Sequence, residues 1–472
     1  MDHRFTNIFF SQRLRATNIV EIISLGLAKS GGKMIDFNEN NEIITEEFQR
    51  AILVGIQRSE DISESMEELE GLAEADGVIV AGQMIQNRDK PDSALYVGKG
   101  KVAEILEMCA ALTCDMVIFN DELTGVQLRN LEKELDLIII DRTALILDIF
   151  ANRALSKEGK LQVEFAQLQY RLPRLRGIGK SLSRTGGGIG TRGPGEKKLE
   201  TDRRHIQDRM DEIRKEINGI KKTRGTQRLQ REKSELPLVA LVGYTNAGKS
   251  AIMNRFLTIS NKEEKKVYEE DMLFATLDTS TRKIKLDSSH EFVVIDTVGF
   301  VSKLPHALVK AFKSTLEEVL SADLILLVID AAYMHYPFQI QVTKSVLKEL
   351  GASEKDIILV YNKMDLLSEE MVENNVQAET KAIDYLEEEF VYISAKTGEN
   401  FKTLTDLIIS RLFSNRKPVE MIIPYDKGSV VSYLMERYEV KDTDYRSEGT
   451  FLRVLLSEAD QNRLREYIQG EA

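Results

Sequence analysis

The stretch Gly243-Tyr244-Thr245-Asn246-Ala247-Gly248-Lys249-Ser250 decides the fold of this chain. An apolar run at 238–242 precedes it and is typical of a buried strand, and residues 251–257 are typical of the start of a helix. Glycines let the backbone turn around an anion, and a helix N-terminus adds partial positive charge. The pattern predicts a phosphate-binding loop in which Lys249 reaches the β- and γ-phosphates and the Ser250 hydroxyl is a ligand of Mg²⁺.

Further motifs follow the loop in the order of a guanine-nucleotide site. Asp296-Thr297-Val298-Gly299 comes after the apolar run 292–295, so we expect the acid to hold Mg²⁺ through water and the Gly299 amide to sense a γ-phosphate. Asn362-Lys363-Met364-Asp365 comes after the run 357–361, and the Asp365 carboxylate matches two hydrogen-bond donors that guanine has and adenine lacks. Ser394-Ala395-Lys396 follows the next run and closes over the base. Together these motifs predict GTP and GDP as ligands.

The segment between the loop and Asp296 is the candidate switch. It reads Phe274-Ala275-Thr276-Leu277-Asp278-Thr279-Ser280-Thr281, and a threonine here would meet Mg²⁺ only when the γ-phosphate is present. Position alone leaves Thr276, Thr279 and Thr281 as candidates. Phe300 stands where many small GTPases place a glutamine that orients the attacking water, so we expect slow intrinsic hydrolysis. Asn246 is a candidate to help hold K⁺ in compensation.

Composition bounds the remaining possibilities. The chain has 472 residues, 42% hydrophobic and 30% charged, with a net charge of −12 and a pI near 5.3. This balance is typical of globular proteins and argues against a uniformly basic coat for nucleic acid. Cys109 and Cys114 fit no zinc spacing, and the five histidines form no metal or triad pattern. No apolar run approaches the length of a membrane span, so we expect no membrane anchor and a cytoplasmic location.

The order of apolar runs predicts an α/β fold with several domains. We expect an unassigned N-terminal extension at 1–48, a small parallel α/β domain at 49–142, a helical hairpin at 143–234, a P-loop GTPase domain at 235–414 and a small α+β domain at 415–472. In the hairpin, two long helices are predicted at 143–175 and 196–233. Their apolar stripes, such as Ile206, Met210 and Ile213, fit an antiparallel pair packed along a narrow seam.

A basic, glycine-rich loop joins the two helices of the hairpin. Residues 174–195 combine eight glycines, six of them between 186 and 195, with several Arg and Lys residues, and no acid occurs until Glu196. Arginine suits phosphate oxygens and glycine permits close approach, so the loop indicates contact with structured nucleic acid. A solvated flexible linker is the alternative.

The chain closely resembles the HflX family of translational GTPases. The resemblance is carried by 243–250, by Leu-Phe-Ala-Thr-Leu-Asp at 273–278 and by Asp-Thr-Val-Gly-Phe at 296–300. Outside the nucleotide site, it is carried by Gly-Gly-Ile-Gly-Thr-Arg-Gly-Pro-Gly-Glu at 187–196, Leu-Glu-Thr-Asp-Arg-Arg at 199–204, Tyr-Val-Gly-Lys-Gly-Lys-Val at 96–102 and Leu-Val-Lys-Ala-Phe-Lys-Ser-Thr-Leu-Glu-Glu at 308–318. It covers about 50–415.

The resemblance implies a function and assigns roles. It makes Thr276 the Mg²⁺ threonine and places Lys249, Thr276 and Gly299 in catalysis. It implies binding to the large ribosomal subunit and its RNA, splitting of stalled or idle ribosomes by a monomer, and GTP hydrolysis that permits release. Some members of the family are linked to antibiotic resistance through the glycine-rich loop.

Four departures from the family pattern and one alternative function remain. Ala251 and Thr279 stand where the family has threonine and proline, and residues 1–48 and 178–184 are less typical of it. The alternative function, kept open by Phe300, is a nucleotide-switched RNA-binding or ribosome-assembly scaffold with incidental GTP turnover.

Overall fold

The computed structural model describes the strands 33–37 and 43–47, then 49–175, 194–234, 236–260, 274, 280–287, 289–303, 308, 318–352, 354–368, 371–372 and 389–469. The chain forms two compact units. The first comprises Met1–Asn152 and Val163–Ile213, and the second comprises Arg153–Gln162 and Arg214–Ala472.

The described part of the first unit contains two sheets. β1 (Lys33–Phe37) and β2 (Ile43–Glu47) form an antiparallel pair. A parallel sheet of order β4-β3-β5-β6 consists of β3 (Arg50–Gln57), β4 (Ile79–Asn87), β5 (Met116–Phe119) and β6 (Ile138–Asp141). Its crossovers carry α1 (Ser63–Ala75), α2 (Lys99–Leu112) and α3 (Gly125–Leu135). β3 and β5 are continuous apolar runs because both faces of a covered parallel sheet are buried, which confirms the predicted parallel arrangement.

The long helix predicted at 143–175 is wrong, because the structure has two helices there. α4 (Arg142–Arg153) follows β6 directly, and α5 (Lys157–Arg174) begins after a break at 154–156. The Ser156 hydroxyl accepts a hydrogen bond from the Gly159 amide at 2.9 Å. Ser156 therefore caps the start of α5. The apolar pattern over 143–175, which by itself appears continuous, belongs to two helices.

The second long helix, α6 (Pro194–Ser234), runs antiparallel to α5. Glu164 accepts two hydrogen bonds from the Arg209 guanidinium, at 2.7 and 2.9 Å, and Lys157 pairs with Glu216 at 3.1 Å. On α5, Glu164 follows Lys157 by seven residues, and on α6 its partner Arg209 precedes Glu216 by seven residues. The two helices therefore run in opposite directions. Met210 and Ile213 of the predicted seam are buried. Residues 176–193 of the basic loop lie outside the described residues.

The second unit contains a six-stranded sheet of order β12-β11-β10-β7-β9-β8. Its strands are β7 (Leu238–Gly243), β8 (Ser280–Lys285), β9 (Glu291–Asp296), β10 (Leu324–Asp330), β11 (Ile357–Asn362) and β12 (Glu389–Tyr392). α7 (Lys249–Ile259), α8 (Tyr336–Leu350) and α9 (Phe401–Leu412) follow β7, β10 and β12. All pairings are parallel except β8 with β9. The carboxyl ends of β7, β9, β10 and β11 therefore meet along one edge, where doubly wound sheets bind ligands.

The same unit ends in a small α+β layer. β13 (Lys417–Ile423), α10 (Gly428–Arg437), β14 (Val440–Arg446), β15 (Gly449–Leu456) and α11 (Glu458–Arg463) form an antiparallel sheet of order β13-β15-β14 with helices. A 3-10 turn, Arg465–Tyr467, follows the last helix. Among the residues that the structure describes, no helix is long and apolar enough to cross a membrane.

Candidate nucleotide-binding site

The phosphate loop joins the end of β7 to the first turn of α7. Asn246 and Gly248 have positive φ, 58° and 92°, which curls the loop before the helix begins. A Cβ on Gly248 would overlap the side-chain amide nitrogen of Asn362, Nδ2. This position therefore requires glycine for space as well as for its positive φ. The loop thus has the curved backbone that the sequence predicts for 243–250.

Lys249 lies inside this curve. Its Nζ donates to the carbonyl oxygens of Gly243 at 3.2 Å and Tyr244 at 2.7 Å, and its side chain is buried. Burial lowers the pKa of Lys249 to about 8, while the nearby Asp296 carboxylate opposes the shift. The loop carbonyls therefore hold the ammonium group at the concave face of the loop.

Ser250 and Asp296 meet beside the lysine. The Ser250 hydroxyl donates to Oδ2 of Asp296, the last residue of β9, at 2.6 Å. Burial raises the pKa of Asp296 to about 6, against the pull of Lys249 and of the Ser250 hydrogen bond. The other carboxylate oxygen, Asp296 Oδ1, is buried and has no hydrogen-bond partner among the described residues. A hydroxyl and a buried carboxylate oxygen that lacks a partner form a hard-oxygen set that fits Mg²⁺.

The segment after Asp296 is tied to the phosphate loop through the backbone. Phe300 donates its amide to Gly243 O at 3.1 Å and accepts from the Thr245 amide at 2.7 Å. The Ser302 amide donates to the Tyr244 hydroxyl at 2.6 Å. Phe300 itself is buried, so its ring does not face solvent at the place where a water-orienting side chain would stand.

Gly299 packs directly on the loop. A Cβ there would lie 2.6 Å from Thr245 Cα and 3.0 Å from Lys249 Nζ. Thr297, two residues earlier, is buried and donates its hydroxyl to Leu241 O at 2.7 Å, which holds this turn against β7. Val298 between them is also buried. Gly299 therefore lies against Thr245 and close to the Lys249 ammonium group.

The structure describes three residues of the candidate switch: Phe274, and Ser280 and the candidate Thr281 at the start of β8. Phe274 has φ 57°, is buried, and donates its amide to the Thr245 hydroxyl at 2.7 Å. The other residues of this segment, Ala275, Thr276, Leu277, Asp278 and Thr279, lie outside the described residues. Thr245 therefore contacts both flanking segments, through its hydroxyl to Phe274 and through its amide to Phe300.

The base-side loops are joined by Asn362 at the end of β11. Its side-chain amide donates to Ala247 O at 3.0 Å, and its side-chain oxygen accepts from the Ala395 amide at 3.0 Å. Asn362 is 2% exposed, so both bonds are shielded from water. The structure therefore assigns this asparagine to a clamp between the phosphate loop and the base loop.

Asp365 and Ser394 face each other across the same edge. The Ser394 hydroxyl donates to Asp365 Oδ1 at 2.6 Å, and the Met364 amide donates to Ile393 O at 3.1 Å. Asp365 is exposed, as is Lys396, so the carboxylate is open to a ligand. Lys363 adopts φ 64° and its ammonium pairs with Asp330 at 2.8 Å.

Comparisons with known proteins agree with this geometry. Three family models match the chain in order, described as GTP-binding GTPase N-terminal (63–151), GTP-binding GTPase Middle Region (153–231) and 50S ribosome-binding GTPase (238–363). A GTPase HflX of Caldanaerobacter subterraneus is 46% identical over 427 residues, which are 90% of this chain and 95% of that protein. The chain belongs to the HflX family. The HflX GTPase of Escherichia coli is 38% identical over 418 residues, 88% of this chain and 95% of that protein.

Membership in the HflX family makes this chain a GTP-binding protein and a GTP hydrolase. Two contacts of the site were not anticipated from the sequence. Asp330 pairs with Lys363, and its signal was an acid at the carboxyl end of a parallel strand, as for Asp296. The Tyr244–Ser302 hydrogen bond has no sequence signal, because the two residues are 58 positions apart.

Proposed function

We propose that GTP binds along this edge with its phosphates on the 243–250 loop and its base against Asp365. The positions support this division. Gly299 lies close to Lys249, and Asp365 lies beside Ser394, in the segment that follows the Asn362 contact with Ala247. In this proposal Lys249 and Gly299 act at the γ-phosphate together with Thr276, while Ala395 and Lys396 line the base.

We propose Mg²⁺ as the metal of the site, held by Ser250 and Thr276 and, through water, by Asp296. When bound, the ion neutralises charge on the phosphate oxygens. The orphaned Oδ1 of Asp296 supports this assignment, since a buried carboxylate oxygen without a donor suits a cation or its water. We propose that Asn246 contacts K⁺ at the site. An unchanged rate of GTP hydrolysis when K⁺ is replaced by Na⁺ would contradict this.

We propose that the GTP cycle acts on the large ribosomal subunit and splits stalled or idle ribosomes, with hydrolysis permitting release. The observation that carries this proposal is the match of 238–363, which holds most of the nucleotide site, to the model described as 50S ribosome-binding GTPase. The antiparallel α5–α6 pair supports it, because the chain passes from α5 into the basic, glycine-rich residues 176–193. We propose that these residues contact ribosomal RNA and that the protein acts as a monomer in the cytoplasm, where ribosomes are found.

Sedimentation of intact ribosomes tests this proposal. The full chain is added with GTP, a non-hydrolysable GTP analogue or GDP, and Lys249→Met serves as the control for nucleotide dependence. We expect separated subunits with GTP and with the analogue, and intact ribosomes with GDP and with the variant. Intact ribosomes under all conditions, with the protein left at the top of the gradient, would contradict ribosome splitting.

The alternative is a nucleotide-switched RNA-binding or assembly scaffold. The burial of Phe300, whose backbone is bonded on both sides to the phosphate loop, favours slow turnover. Hydrolysis measured over many turnovers distinguishes the two functions. Ribosomes that accelerate hydrolysis support the splitting cycle, and ribosomes that bind without accelerating it support the scaffold.

A further inference from the structure

An arginine on α7 reaches from the phosphate-binding helix to the base loop. Arg255 lies six residues after Lys249, and its Nη2 donates to the Thr397 carbonyl oxygen at 3.1 Å. Gly398, the next residue, has φ 89°, and a Cβ built on it would overlap the Arg255 guanidinium. The guanidinium therefore lies directly on the backbone of the loop, in space that any larger residue at 398 would occupy.

This contact continues to the carboxylate that faces the base. Thr397 and Gly398 form a tight turn around Ser394. The Thr397 amide donates to the Ser394 hydroxyl oxygen at 3.0 Å, and the Gly398 amide donates to Ser394 O at 2.8 Å. The Ser394 hydroxyl then donates its own proton to Asp365 Oδ1 at 2.6 Å. A displacement of the turn at Thr397 therefore displaces Ser394 and reorients Asp365.

We propose that Arg255 is a positioning residue for guanine recognition, which holds the 394–400 loop so that Asp365 is preorganised for the base. This inference rests on the proposed assignment of Asp365 to guanine. Because Arg255 and Lys249 share one helix, the contact also connects the phosphate end of the site to the base end. A planar guanidinium suits this role because it can pack closely against a glycine while it donates in its own plane, which an ammonium does not do.

The position of the contact separates this role from a purely structural one. Thr397 is exposed and Arg255 is half-buried, so water replaces the lost hydrogen bond when the arginine is removed. The cost to folding is therefore small. Without the arginine, however, nucleotide binding must itself order a loop that Arg255 otherwise holds in place. This entropic cost lowers the nucleotide affinity.

The experiment uses the full-length protein and fluorescent GDP and GTP. We expect Arg255→Met and Gly398→Ala each to raise the Kd for both nucleotides about tenfold, chiefly through faster dissociation. At saturating GTP we expect kcat to stay within about twofold of the starting protein while KM rises. Arg255→Lys is expected to restore part of the affinity. Arg411→Met is the matched control. It removes an exposed arginine of the same unit that pairs with Glu389, and it should leave the Kd unchanged.

A second readout reports the position of Asp365. Inosine diphosphate lacks the exocyclic amine of guanine, so the ratio of its Kd to that of GDP measures how well the carboxylate reads the base. We expect this ratio to fall in Arg255→Met, and a loss of stability alone does not change it. Thermal unfolding of every variant shows whether it is folded. If Arg255→Met does not fold, the inosine ratio of Arg255→Lys tests the proposal instead.

Asp365→Asn separates this inference from the assignment on which it rests. If Asp365→Asn lowers GDP affinity but Arg255→Met leaves both the Kd and the inosine ratio unchanged, the positioning role is overturned and the base assignment stands. If Asp365→Asn binds GDP as before, the base assignment itself fails. An equal loss in Arg411→Met would show that the effect is not specific to the loop contact.

Discussion

Asn362→Leu is the perturbation that most directly tests the geometry of the site. Leucine has a similar shape but removes both polar atoms of the clamp. The Ala247 carbonyl and the Ala395 amide would each lose a partner at 3.0 Å. Ala247 is fully buried and Ala395 is 7% exposed, so water does not readily take the place of the lost partners.

The expected magnitude follows from these two orphaned groups. A buried donor or acceptor left without a partner costs about 1–3 kcal/mol, so the two together cost roughly 2–6 kcal/mol. Part of this cost lowers folding stability. The remainder lowers nucleotide affinity, and a share of about 2 kcal/mol corresponds to roughly 30-fold in Kd.

Titration calorimetry with GDP and with inosine diphosphate measures the effect. Because Asn362 joins two loops and contacts backbone groups, we expect the same proportional loss for both nucleotides. Asn130→Leu is the control, since it removes one exposed amide bond to Ala94 O in the other unit. Unchanged affinity in a folded Asn362→Leu protein would refute the clamp. A loss confined to GDP would instead mean that Asn362 reads the base.

Three further predictions concern Asp148 in the first unit and two residues at the nucleotide-binding site. Burial raises the pKa of Asp148 from 3.8 to about 8, so its contribution to stability is lost as pH rises across that window. Asp148→Asn should therefore raise the free energy of unfolding by roughly 3–4 kcal/mol more at pH 8 than at pH 5, and an equal gain at both would contradict this. Gly299→Ala forces a methyl to 2.6 Å from Thr245 Cα and should slow single-turnover GTP hydrolysis about tenfold or more, with a smaller effect on GDP affinity. Tyr244→Phe removes the acceptor of the buried Ser302 amide and should cost about 1–2 kcal/mol in denaturant unfolding, and no change would show that the amide finds another partner.

Local patterns in the sequence were sufficient for the parallel sheets and the order of the site motifs. The runs at 51–54, 116–119 and 238–242 are strands because a covered parallel strand is apolar on both faces and so leaves a continuous signal. Gly248 and Lys249 indicate phosphate because glycine conformation and lysine reach are local properties of the chain. The edge strands β8 and β14 carry no such signal. β8 buries little apart from Ile284, and β14 is almost entirely exposed, so neither was predicted.

Tertiary structure alone decided which side chains join the loops. The Asn362 side chain bridges Ala247 and Ala395, 115 residues before it and 33 after it, and Arg255 meets Thr397 across 142 positions. Periodicity and spacing report only on neighbours within a few turns of the chain. The sequence by itself therefore determined the family, the parallel strands and the residue types at the site. The clamps that hold these residues in register depend on distances across the folded sheet edge, which exist only after β7, β11 and β12 are assembled side by side.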